Sequence, residues 1–174
     1  VEWLNPSTEP LAGNVSYLLV SSFDSLLSNA NVTISTSALG ANGGGAGSID
    51  LLTPLSVGST TGTRLTLQAN GEIRLSANIS SVGALGLDLI APGGVVWNGA
   101  QVSGPVQIVA KTSSSSLPDG QVSITPSNVV GVGLQGGASL SAGSIILQSA
   151  SASPTASFSL DATSTIQYSD LEIG

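Results

Sequence analysis

The sequence predicts an all-β protein wound as a β-solenoid, and three observations predict it. A short strand unit headed by glycine recurs at near-constant spacing. Within each unit apolar and polar residues alternate with period two, the signature of a strand buried on one face. Finally, 41% of the 174 residues are hydrophobic but only 3% are aromatic, so the core must be filled by Val, Ile, Leu and Ala. Thin, regular aliphatic cores are what stacked coils offer.

The repeat is read from Gly71-Glu72-Ile73-Arg74-Leu75, of the form Gly-x-apolar-x-apolar, with a further apolar residue, Ile79, four positions on. It occurs also at Gly47-Ser48-Ile49-Asp50-Leu51 followed by Leu55, and at Gly93-Gly94-Val95-Val96-Trp97 followed by Val102. Further copies are Gly120-Gln121-Val122-Ser123-Ile124, followed by Val129, and Gly143-Ser144-Ile145-Ile146-Leu147. The heads at 47, 71, 93, 120 and 143 lie 24, 22, 27 and 23 residues apart. Ser164-Thr165-Ile166-Gln167-Tyr168 is a degenerate sixth copy, so roughly six coils are expected.

A second strand type precedes most copies: Leu65–Ala69, Leu87–Ala91, Val106–Ala110, Ala138–Ala142 and Phe158–Ala162, with Val32-Thr33-Ile34 as a first member. The gaps carry Gly, Asn, Pro and Ser, which are turn residues. Longer gaps at Ala38–Gly47 and Ser113–Asp119 read as loops bulging from the stack. The one helical signal is Ser22–Asn29, where Phe23, Leu26 and Leu27 share a face, enough for a single turn.

A hairpin meander also alternates. The constant repeat length and the same residue class at each slot favour coils instead, with equivalent slots one above the next at about 4.8 Å, a rod of roughly 30 Å. One inward ladder is then Ile49, Ile73, Val95, Val122, Ile145 and Ile166, and its neighbour is Leu51, Leu75, Trp97, Ile124, Leu147 and Tyr168. The outward column between them is Asp50, Arg74, Val96, Ser123, Ile146 and Gln167, with Asp50 above Arg74 as a candidate ion pair. Val96 and Ile146 break the polar-outside rule and are candidates for cover by a loop or partner. A second outward column is Thr33, Thr66, Asp88, Gln107, Ser139 and Ser159.

Residues 1–30 stand outside the repeat and form an N-terminal capping or assembly segment; residues 31–174 form the solenoid domain. The apolar runs Val1–Leu4 and Val15–Val20 hold Trp3, Leu4, Tyr17 and Leu18. These either fold back over the first coil or reach a neighbouring subunit as an added strand. At the other end the run Ile166–Ile173, with Ile166 and Tyr168, either finishes the stack or docks on the next one, and the acidic residues there discourage stacking.

The runs Asn31-Val32-Thr33-Ile34-Ser35-Thr36, Gly47-Ser48-Ile49-Asp50 and Leu65-Thr66-Leu67-Gln68-Ala69-Asn70-Gly71-Glu72-Ile73 resemble filamentous haemagglutinin-like repeats of two-partner secretion exoproteins. The stretch Ser21–Ala30 resembles the lead-in to such repeats. The resemblance is best over about 31–112, weakens towards the end, and does not cover residues 1–20. It implies a right-handed parallel β-helix, surface adhesion, a secreted or cell-surface location, and no catalytic residues. Such exoproteins run far longer, which implies either a fragment or a small self-standing relative.

Charge bounds the partners. Ten Asp and Glu face three basic residues, a net charge of −7. Nucleic-acid binding needs a basic footprint, which Arg64, Arg74 and Lys111 do not supply. An anionic membrane surface is disfavoured on the same grounds, and no run approaches the ~18 apolar residues of a membrane helix. With neither His nor Cys, a Ser-His-Asp triad is excluded. Lys111 beside Ser113–Ser116 reads better as a loop than as a Ser-Lys pair. Gly43–Asp50 is a poor match to a calcium-binding repeat, and no lysine follows its glycines as a phosphate loop requires. No cofactor or metal is expected, and no enzyme. Asn14, Asn31 and Asn78 fit a glycosylation pattern that Ser/Thr-rich chains meet often by chance.

The function expected is therefore a structural or adhesive fibre segment of a secreted surface protein, its partners being adjoining coils, copies of itself, or a host or neighbouring cell surface. The alternatives are a subunit that stacks end to end into a filament, since open sheet edges invite pairing, and a carbohydrate-binding or lyase-like β-helix.

Overall fold

A computed structural model describes residues 20–36, 47–98, 100–114, 116–125, 132–148 and 158–173. Nearly all of the described chain is parallel β-structure, coiled through about four solenoid turns, with a single short helix. The coil has three strips. The first runs through β1 (Val32–Ser35), β4 (Thr63–Gln68), β7 (Leu85–Ile90) and β10 (Val106–Lys111). The second runs through β2 (Ile49–Leu51), β5 (Ile73–Leu75), β8 (Val95–Trp97) and β11 (Gln121–Ile124). The third is a separate sheet of β3 (Leu55–Val57), β6 (Ile79–Ser81), β9 (Gln101–Ser103), β12 (Val132–Gln135) and β14 (Phe158–Leu160).

Two long strands join the first two strips. β13 (Ser139–Leu147) pairs with β10 through its first half and with β11 through its second. β15 (Thr165–Ile173) lies on β13 along almost its whole length. Every strand pair is parallel, as successive turns of one coil require and a hairpin meander forbids.

Register confirms the ladders up to the last coil. Ile49, Ile73, Val95, Val122 and Ile145 stack in one line, and Leu51, Leu75, Trp97, Ile124 and Leu147 in the next. At β15 the expected assignment fails. Ile145 is followed by Leu171 and Leu147 by Ile173, not by Ile166 and Tyr168. Ile166 continues the first-strip line Val32, Leu65, Leu87, Ile108, Leu140, and Tyr168 stands over Ala142. Gln167 likewise pairs Ser141, and Glu172 takes its place beside Ile146. The cause is the lost glycine. β13 still carries Gly143 at the corner, but β15 has Ser169 there, and its Ser164 precedes a first-strip sequence.

The other outward column is corrected too. Thr33, Thr66 and Asp88 are followed by Val109 and Ser141, while Gln107 pairs Gly86 and Ser139 one column away. Phe158–Leu160 belongs to the third strip, with Ser159 beside Gly133. In that strip Leu55, Ile79 and Val102 are followed by Leu134 and Leu160. Val129, expected in this slot, lies outside the described residues, as does most of the Ala38–Gly47 gap.

The repeat glycines mark where the chain passes from the first strip to the second against another backbone. A Cβ on Gly120 would sit 2.5 Å from the Lys111 nitrogen, and one on Gly143 2.7 Å from the Asp119 carbonyl oxygen. Only hydrogen fits there. Side-chain brackets satisfy backbone N–H groups at other corners, as buried or partly buried amides require. Asn31 Oδ1 accepts from the Arg64 amide and Asn78 Oδ1 from the Gln101 amide, both at 2.9 Å, so two of the three glycosylation-pattern asparagines are used between coils. The Ser113–Asp119 loop is closed by Asp119, which accepts from both the amide and the hydroxyl of Thr112.

The core is one aliphatic column with a single large insertion. Trp97 is fully buried, its indole N–H donates to the Ala100 carbonyl at 2.8 Å, and its ring meets Phe158 edge-on at 6.3 Å. The expected helical turn is an eight-residue helix, α1 (Val20–Leu27). It packs against β3 and β4 and sends Leu27 into the core, while Leu26 stays exposed.

Candidate functional site

All three basic residues are spent on neighbouring carboxylates. Asp88, nearly buried on the outer face of β7, is held by Arg64 from β4 at 2.6 Å and approached by Lys111 from β10 at 3.7 Å, both at Oδ2. Arg64 reaches it by lying across Gly86, where a Cβ would meet the guanidinium carbon at 3.4 Å. The cluster thus spans three successive coils. Arg64 is half-exposed, so its pair is worth about 0–1 kcal/mol. Asp88 Oδ1 is buried without a hydrogen-bond partner among the described residues. Arg74 pairs with Glu72 of its own coil and approaches Asp50 of the coil before at 3.8 Å, the pair anticipated from the ladder. Sequence reasoning placed Asp88 correctly on an outward face but missed both its cations. They flank its column, so a column-by-column reading passes over them.

Other carboxylates act as turn clips. Asp161 accepts from the Gly136 amide at 2.6 Å and from Thr163, and these bonds hold its carboxyl well below the ordinary carboxylate range. The Thr112 bonds lower Asp119 in the same way. Burial pushes Asp24 of α1 up. No group of three or more potential ligands that could hold a metal ion occurs among the described residues.

The remaining feature is the last coil. β15 is hydrogen-bonded to β13 along one edge and to no strand along the other, among the described residues. Its inward slots therefore have a floor and no roof. Tyr168, Leu171 and Ile173 are exposed there, Ile173 to 75%, and so is Leu160 of β14 at the end of the third strip. Ala142, Ile145 and Leu134, one coil below Tyr168, Leu171 and Leu160, are buried, and Leu147 below Ile173 is half-buried. Asp170 and Glu172 line the outer side of the same edge, next to Ser144 and Ile146, and form no ion pair among the described residues.

Of the assembly candidates, Ile166 and Tyr168 sit on this last coil, Ile166 half-buried. Val96 and Ile146 are half-buried on the outer face of the second strip, with Ser123 between them in register. Trp3, Leu4, Tyr17 and Leu18 lie outside the described residues. Leu171 and Ile173 lie in the run expected at this end but were not assigned to the inward ladders, because the sixth repeat was read one strip out of place, and Leu160 was read into the first strip. The signal that places Leu171 and Ile173 is the second apolar pair they form, set three residues past Tyr168, which repeats the spacing of Ala142 to Ile145 and Leu147.

The parallel coils and the three engaged basic residues thus define the molecule without help from relatives: no family model matches the chain, and no curated protein or solved structure is detectably similar to it.

Proposed function

We propose that this chain is a structural segment of an extracellular fibre on a cell surface, a right-handed rod of about six coils that holds adhesive regions away from the cell and catalyses no reaction. Residues 1–30 close its N-terminal end in this reading, with α1 as the inner part of that closure.

The observation that carries it is the identity of slots along the rod. An inward aliphatic column runs without a break from Ile49 to Leu171, the regular core that a stacked spacer needs. The outer faces support the same role, because each basic residue is already matched by a carboxylate, leaving no cationic groove for a polyanion. End-to-end self-assembly is a second reading, favoured by the edge of β15 that no strand among the described residues occupies.

Electron microscopy of the purified chain tests both. Monodisperse short rods, roughly 30 Å along the coil axis, are expected; long uniform fibres support the subunit reading, and compact particles without an axial repeat refute both.

A further inference from the structure

We propose that Lys111 and Asp88 condense into an amide, a covalent link that the folded chain forms on itself between the neighbouring strands β10 and β7. The link is separate from the fibre reading, and chains that lack it would leave that reading standing.

The first support is position. Asp88 lies in register with Val109, and Lys111 with Ile90, so the pair meets diagonally across adjacent parallel strands on their outer face. Lys111 Nζ stands 3.7 Å from Asp88 Oδ2, and no other carboxylate among the described residues lies within ion-pair distance of it. Asp119, nearer in sequence, spends both oxygens on the amide and hydroxyl of Thr112. Lysine is also the side chain this chemistry needs, because the other two cations, Arg64 and Arg74, are guanidiniums that stay protonated.

The second is dryness. The other corners of the diagonal are Ile90, buried although it stands on the outer face, and half-buried Val109. The Lys111 and Asp88 side chains are themselves only 14% and 11% exposed. An ammonium held this dry, by a contact longer than a hydrogen bond, recovers little of its lost hydration. Condensation removes both charges and releases a water, so burial favours the amide over the ion pair.

The third is the division of labour between the carboxylate oxygens. Arg64 and Lys111 both approach Oδ2, while Oδ1 is buried without a hydrogen-bond partner among the described residues. As Nζ attacks Cγ, negative charge develops on Oδ2 against the Arg64 guanidinium at 2.6 Å, which stabilises the tetrahedral intermediate. Oδ1 takes two of the three ammonium protons and leaves as water. A C–N bond replaces a C–O bond, Lys111 keeps one N–H, and nothing is oxidised or reduced. The fixed strands hold the two groups together and so replace the collision that a bimolecular condensation requires.

The test is the mass of the denatured full chain, which is expected to be lighter than the sequence requires by one water. Trypsin has three sites, after Arg64, Arg74 and Lys111. The link blocks the last of these, so residues 75–174 should emerge as one fragment, also lighter by one water. Lys111→Arg keeps the charge and loses the nucleophile. It should show the full mass and cleavage after position 111, with an unchanged far-ultraviolet circular dichroism spectrum; Asp88→Ala should show the full mass too. Arg64→Gln should raise the unlinked fraction at least about tenfold. A wild-type chain of full mass overturns the proposal, whatever the variants do. So does loss of water with cleavage still occurring after Lys111, which places the dehydration elsewhere, as at Asp119-Gly120, or loss of water that persists in Lys111→Arg. An unlinked fraction unmoved in Arg64→Gln overturns the role given to Arg64.

Discussion

Ile73 and Leu171 occupy the same inward line, four coils apart, and truncating each to alanine asks what a covered and an exposed ladder position are worth. Ile73 is completely buried between Ile49 and Val95. Ile73→Ala removes three carbons, and at about 0.8 kcal/mol per buried methylene the transfer loss is about 2.4 kcal/mol. The cavity cannot collapse along the rod, because interlayer bonds such as Ile49 N–H to the Glu72 carbonyl and Ile73 N–H to the Gly94 carbonyl fix the spacing of the coils. A residual void raises the expected cost to about 3–4 kcal/mol, inside the usual range for buried aliphatic truncations. Leu171 is 37% exposed and roofless, so Leu171→Ala leaves no closed cavity and forfeits only part of the transfer term, about 1 kcal/mol. Urea unfolding followed by far-ultraviolet circular dichroism, with linear extrapolation, measures both. Equal costs for the two variants, or a cost below about 1 kcal/mol for Ile73→Ala, would refute the stacked-ladder account of stability.

The register of the last coil has a direct chemical check. The native chain lacks cysteine, so an Ile145→Cys/Leu171→Cys pair, adjacent across parallel strands, should oxidise readily, whereas Ile145→Cys/Ile166→Cys should stay reduced under the same conditions; mass spectrometry after alkylation distinguishes them. Trp97→Phe keeps an aromatic ring in the slot but removes the donor to the Ala100 carbonyl, and should cost about 1–3 kcal/mol in urea unfolding. Acid titration should reveal the turn clips. Asp119 and Asp161 sit below the ordinary value of 3.8 in the folded protein, so their contribution is present above about pH 4 and is lost as pH falls through their folded values. Asp119→Asn/Asp161→Asn should therefore flatten the acid limb of a stability–pH curve. Asp24 has the opposite sign: its folded value is raised, so its ionisation opposes folding as pH rises, and Asp24→Asn should stabilise the chain at neutral pH but not at pH 2.

The strands around Gly93, Gly120 and Gly143 were legible because three separate pressures coincide in them. A glycine is forced by backbone contact at the corner, a period-two pattern by burial on one face, and an aliphatic class by the narrow tube. Where one pressure lapses, legibility fails. β15 has Ser169 where the corner glycine would stand, and its line was read one strip out of place. The third strip was seen only as a trailing apolar residue, because strands such as β6 and β9 are too short to show a period. Gln107 was put in the wrong outward column because Val106–Lys111 alternates equally well in either frame, and only pairing with β7 selects one.

By itself the sequence determined that the chain coils, which faces turn inward, and that Asp50 meets Arg74. Those facts follow from local periodicity and from a repeat length that the corners enforce. Tertiary structure alone decided how Arg64 crosses Gly86 to reach Asp88 beside Lys111, and that Leu171 and Ile173 rather than Ile166 and Tyr168 continue the second strip. Those outcomes depend on the offset between one coil and the next. That offset is set by hydrogen bonds between backbones some 22 to 27 residues apart, which no local pattern of side chains encodes.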